Sequence, residues 1–113
     1  MKIISIENSK AVSITGTARR GAIKTTYDQL VEKFGPPTFK DGDKTTVEWA
    51  LDFYVEDDDG ERDNVTATIY DWKINSTPFG EHDWHIGGRR AKDAVDAVYT
   101  AMETNEPIEL TVG

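Results

Sequence analysis

The sequence predicts an α+β fold, an antiparallel β-sheet of about four to six strands with two α-helices packed on one face, from three patterns. Residues 45–55 alternate, with Val47, Trp49, Leu51, Phe53 and Val55 on one side and Thr46, Glu48, Ala50, Asp52 and Tyr54 on the other. A strand with one buried and one wet face reads this way. Residues 64–73 repeat the alternation, Val65, Ala67 and Ile69 opposing Thr66, Thr68, Tyr70 and Trp72, so an antiparallel hairpin pairs the two segments. Two helical stripes then supply the cover, one in residues 26–34 and one from Ala91 to Met102.

The first helix has clear ends. Thr26 and Gln29 form a capping-box pattern, Tyr27, Leu30, Val31 and Phe34 lie on one helical face, and Gly35-Pro36-Pro37 stops the helix. In the second, Ala91, Ala94, Val95, Val98, Tyr99 and Met102 form the apolar stripe, with Lys92, Asp93, Asp96 and Glu103 mostly outside it. Ahead of the first helix, residues 2–7 and 11–18 read as two short strands or a hairpin around Asn8-Ser9-Lys10. Residues 74–82 read as a loop, 83–86 as a short strand, Gly87-Gly88 as a turn into the second helix, and Pro107–Val112 as a final edge strand or tail.

At 113 residues, 37% hydrophobic and 10% aromatic, the chain suits one domain over residues 1–113 with one core. There is no cysteine, which excludes disulfides, thiolate metal cages and thiol catalysis. Neither a signal peptide nor a membrane span is recognisable, so a cytoplasmic location without membrane partners is expected. The net charge of −8 is unevenly placed: residues 1–40 hold seven Lys/Arg against three Asp/Glu, residues 41–113 six against eighteen. That balance disfavours direct nucleic-acid binding while leaving room for a local anion site.

Few constellations carry chemistry. The acidic run Glu56-Asp57-Asp58-Asp59-Gly60-Glu61 fails as a calcium loop, because aligning Gly60 with the sixth-position glycine puts Val55 first and Thr66 last. Asp57, Asp58, Asp59 and Glu61 read instead as a solvated hairpin loop or as a docking surface for a basic protein. His82 and His85 lie three apart on a loop and strand, where side chains diverge, so no metal site is assigned. No nucleophile elbow, P-loop or marked carboxylate pair is present, and neither a catalytic residue nor a cofactor is expected.

The segment Trp84-His85-Ile86-Gly87-Gly88-Arg89-Arg90 is the main binding candidate. A strand-to-helix junction offers free amides and a positive dipole end, to which two guanidinium groups add phosphate affinity. Tyr70, Trp72 and Trp84 are candidate stacking surfaces for a base, and Arg19 and Arg20, with Lys24, a second basic group.

The stretches Phe34-Gly35-Pro36-Pro37, Trp49, Ala67-Thr68-Ile69-Tyr70-Asp71-Trp72-Lys73 and Trp84-His85-Ile86-Gly87-Gly88 resemble small accessory proteins of bacteriophages over roughly residues 27–102. The resemblance implies a viral origin, the host-cell cytoplasm and a counter-defence role, and carries over no functional residue. The expected function is therefore non-enzymatic sequestration of a phosphate-containing nucleotide signal, with possible homo-oligomers. The alternative is an acidic inhibitor that docks on and blocks a basic host defence protein.

Overall fold

The computed structural model describes residues 1–113, and its core is one mixed sheet with both helices on the same face. The elements run β1 (Lys2–Asn8), β2 (Ala18–Thr25), α1 (Tyr27–Phe34), β3 (Phe39–Lys40), β4 (Val47–Glu56), β5 (Arg62–Tyr70), β6 (His82–Gly88), α2 (Ala91–Glu103) and β7 (Glu109–Val112). The sheet has seven strands in the order β2-β6-β5-β4-β1-β7, with the two-residue β3 paired to β4. No helix is long and apolar enough to cross a membrane.

The alternation of β4 works as expected: Val47, Trp49, Leu51, Phe53 and Val55 are all buried, and Val65, Ala67 and Ile69 of β5 match them. Trp84, Ile86, Leu30, Phe34, Ala94, Ala97, Val98 and Ala101 complete the same core. The capping box forms at Thr26 and Gln29, and Gly35, at φ 82, closes α1 with its amide on the Val31 carbonyl. Tight helix-on-sheet approach requires Gly88, since a Cβ there would lie 2.3 Å from the Ala94 Cβ.

Three sequence expectations need correction. Residues 2–7 and 11–18 do not form a hairpin: β1 pairs with β4, whereas β2 begins at Ala18 and pairs with β6, three strands farther along. β2 escapes a pattern reading because Gly21 and three cations interrupt its hydrophobic residues; Gly21 instead admits Val95 of α2, whose Cγ2 would be 2.9 Å from a Cβ. The sheet is also not wholly antiparallel, because β7 runs parallel to β1 from Ser5↔Glu109 to Asn8↔Val112. Finally, Gly87 and Gly88 are strand residues in β6 rather than a turn, each in register with both β5 and β2.

The β1–β2 connection must cross β4, β5 and β6. Arg89 shows which face it takes. Gly88 faces α2, so strand alternation directs Arg89 to the helix-free side. There its Nε donates to the Thr15 carbonyl at 2.8 Å and its Nη2 to the Ser13 carbonyl at 2.6 Å. Val12, in the same connection, is buried. The strap therefore crosses the helix-free face and covers part of it.

Gly88→Ala is expected to lower stability by about 1–3 kcal/mol, the usual range for overpacking. Gly80→Ala, which meets nothing within 4 Å, should stay within about 0.5 kcal/mol of wild type. Urea unfolding of both variants checks the assignment, and equal midpoints would contradict the close packing of α2 on β6.

Candidate functional site

On the helix-free face the antiparallel register places Glu48 opposite Tyr70 and Tyr70 opposite His85. Just beyond β5, Trp72 joins them. The Tyr70 ring stands edge-on to His85 (5.3 Å, 75°) and to Trp72 (6.1 Å, 70°), while Trp72 and His85 are nearly parallel at 6.4 Å and 24°. Gly87 makes room for this arrangement: a Cβ there would stand 2.4 Å from Thr68 Oγ1 and 3.4 Å from Tyr70 Cε1. Its lack of a side chain thus serves the aromatic cluster.

Cations surround the rings. The Lys44 and Lys73 ammonium groups lie 5.6 and 5.7 Å from the Trp72 ring centre, within cation–π range. Arg19 approaches from β2. Burial lowers the His85 pKa, and the Arg19 and His82 charges push it the same way. Burial, then the Glu48 charge, raises the Tyr70 pKa against an opposing Arg19 contribution. Burial likewise raises the Glu48 pKa. Arg19 thus acts on two of the three rings, and neutral His85 is a hydrogen-bonding and stacking group rather than a fixed charge.

One buried carboxylate organises the surrounding loops. Asp71, with no solvent exposure, accepts from the Thr46 amide (2.8 Å), the Val47 amide (3.3 Å) and the Thr46 hydroxyl. The Thr46 and Thr77 hydroxyl oxygens are 2.8 Å apart, and the Lys73 amide donates to the Lys44 carbonyl at 2.8 Å. The segments carrying Lys44, Trp72 and Lys73 are tied to one another.

Of the residues singled out in the sequence, Tyr70, Trp72, His85 and Arg19 meet at this place. Others do not. Trp84 is fully buried, 5.6 Å from Trp49, with its indole N–H on the Thr25 carbonyl, so it cannot stack on a ligand. The expected amide pocket at Gly87-Gly88 is not built, because both glycines lie in an interior strand between β5 and β2. Arg20 donates to the Gly88 and Arg89 carbonyls, Arg89 holds the strap, and Arg90 pairs with Asp63 (2.9 Å) and Asp93 (3.3 Å). These three arginines have structural partners. Lys24 faces Glu81 at 3.8 Å.

His82 and His85 fall on opposite faces of β6, consistent with their odd spacing. The acidic loop lies at the far end of β4 and β5 from Trp72. Within it Asp57 is a turn residue, its carboxylate accepting the Asp59 and Glu61 amides at 2.9 Å, while Asp58, Asp59 and Glu61 are exposed. Glu48, Lys44, Lys73 and Asp71 were not singled out by sequence reasoning. Only the register of β4 on β5 brings them together, and no local pattern encodes it.

A surface cleft of about 590 Å³ lies elsewhere, between the N-terminus and the end of α2. Its Arg62 is engaged with Glu56 at 3.3 Å, and no aromatic residue lines it. The aromatic cluster is the better chemical candidate, although it is a surface and not a cleft. Comparison with known protein families, curated proteins and solved structures finds no match to this chain.

Beside the strap, Asp52 is half-buried and its Oδ1 has no hydrogen-bond partner. Burial first, then the Glu7 charge, raises its pKa, with Arg89 acting in opposition. A carboxyl whose folded pKa is raised is stabilising below its unfolded pKa, and that contribution is lost as pH rises through the folded value. Asp52→Asn should therefore raise the urea midpoint at pH 7, by an amount that shrinks as pH falls through the carboxylate range. No gain at pH 7 would show that the charge is well solvated.

Proposed function

We propose that the protein binds a nucleotide-like ligand on the open part of its helix-free sheet face. In this reading the base stacks on Trp72 beside His85 and Tyr70, and Arg19 takes the phosphate. The observation that carries it is the exposure of Trp72: 41% of its surface is open, whereas Trp49 and Trp84 are fully buried. A large aromatic outside the core, beside two other π-systems on which the Arg19 charge acts, suits a planar anionic ligand.

Magnitudes favour joint recognition. Stacking of a base contributes about 1–3 kcal/mol and a charge-assisted hydrogen bond about 1.5–3 kcal/mol. Each alone falls short of the roughly 4 kcal/mol of a millimolar complex. Base and phosphate must be engaged together. The ligand is held and not converted, which fits sequestration of a phosphate-containing nucleotide signal in an infected host, the role that the sequence resemblance suggests.

Since Trp72 is the exposed tryptophan, its fluorescence reports on the site directly. Adenosine 5′-monophosphate is expected to quench it saturably, whereas adenosine or inorganic phosphate alone should be much weaker. Arg19→Gln should weaken nucleotide binding about tenfold or more, and Trp72→Ala should weaken it about 5- to 150-fold, read by calorimetry. No nucleotide binding at millimolar concentration, or full affinity in Arg19→Gln, would overturn the proposal.

A further inference from the structure

Next to Trp72, on the side away from His85 and Arg19, lies a separate cleft of about 470 Å³ between residues 41–46 and residues 73–75. Its position follows from the topology. Trp72 extends β5; His85 and Arg19 belong to β6 and β2 on one flank, whereas Lys44 precedes β4 on the other. Cationic groups therefore stand on both sides of the exposed ring. A mononucleotide stacked on Trp72 with its phosphate at Arg19 leaves the Lys44–Lys73 side unused.

The cleft is open, and its two walls carry unusual backbone. Asp41 and Lys73, one on each wall, both adopt left-handed backbone, at φ 57 and φ 53, which non-glycine residues seldom do. The surrounding bonds hold these conformations: the Asp41 amide donates to the Thr46 carbonyl at 2.8 Å, and the Lys73 amide to the Lys44 carbonyl at 2.8 Å. Strained backbone retained beside a binding surface is a common sign of a preorganised site. A volume of this size lies within the range of small-molecule pockets, about 300–1,000 Å³.

The lining decides the chemistry. Lys44 and Lys73 supply two ammonium donors, while Asp41, Asp43 and Asn75 supply acceptors in the same cleft. A bare polyphosphate would meet the two carboxylates unfavourably. A sugar-phosphate matches both sets, its phosphate facing the lysines and its hydroxyls donating to the carboxylates.

From this we infer that the Lys44–Lys73 cleft is a second subsite, and that the ligand class is a dinucleotide whose second sugar-phosphate occupies it. The inference rests on nucleotide binding at Trp72 and extends it.

Calorimetric titration with adenosine 5′-monophosphate, ATP and the 5′-phosphorylated diadenylate pApA provides the test. Wild type is expected to bind pApA at least tenfold more tightly than the monophosphate, and more tightly than ATP. The Lys44→Gln, Lys73→Gln double variant should lose that preference, binding pApA and the monophosphate within about twofold of each other. Both lysines are exposed, so the variant should fold, as circular dichroism would verify. A Lys2→Gln, Lys92→Gln control removes the same charge at the opposite end of the sheet and should retain the preference. Equal affinity for monophosphate and pApA in wild type, tighter binding of ATP, or a preference that survives in the Lys44/Lys73 variant overturns the inference while leaving nucleotide binding at Trp72 intact. Failure of wild type to bind any of the three overturns both.

Discussion

Two buried indole groups hold this fold together. Trp49 and Trp84 meet edge-to-face at 5.6 Å in the core, and each spends its N–H on a backbone carbonyl flanking α1. Trp84 donates to Thr25, immediately before the cap, and Trp49 to Gly35, immediately after the helix. An eight-residue helix is too short to be stable by propensity alone. Anchored at both ends to β4 and β6, it becomes a fixed lid on the sheet, and Leu30 and Phe34 can be fully buried beneath it. The same anchorage commits two of the three tryptophans to the core.

The other face of the sheet has a different solution to the same problem. No helix covers it, yet Ala50 and Thr68 are buried there, and the β1–β2 strap with Val12 supplies the cover. Arg89 secures the strap through two carbonyls, so a guanidinium group does structural work that hydrophobic contacts perform on the helical side. A single strap cannot span the full length of the strands. The row Glu48–Tyr70–His85 stays only partly buried, and an open strip of sheet ending at Trp72 results.

Much of this was legible in the sequence, and the limits are instructive. The alternation of β4 and β5 and the capping box at Thr26 are local patterns that appear in the structure; α2 forms too, but its buried stripe is Ala94, Ala97, Val98 and Ala101, with Val95, Tyr99 and Met102 half-buried at its margin and Ala91 exposed. The sheet order is not local. Nothing in residues 11–25 announces that β2 joins the far edge, because Gly21 and the cations conceal a strand whose partners are β6 and α2. Similarly, Tyr70, Trp72, His85 and Arg19 were recognisable as chemically apt residues. Their separation from Arg20, Arg89 and Arg90 was not, since side-chain parity along β6 and the path of the strap decide it. The pairing of Lys44 with Lys73 depends on register across 29 residues, which composition and motif cannot reveal.

Asp71 bears on why the site lies where it does. A fully buried carboxylate is costly, and an apolar residue of similar size would often serve stability better. Here three donors satisfy it, and all belong to Thr46 and Val47, at the point where the chain leaves the Lys44 loop and enters β4. Its own position, meanwhile, is one residue before Trp72. The interaction therefore fixes the two segments that flank the open end of the β4–β5 hairpin against each other, directional where hydrophobic contact would allow sliding. Supporting residues of this kind are what a precise binding surface needs, because rotamers on exposed loops are otherwise free. The energetic cost of burying Asp71 falls at the end of the sheet where the exposed aromatic ring and its flanking lysines must be held in place.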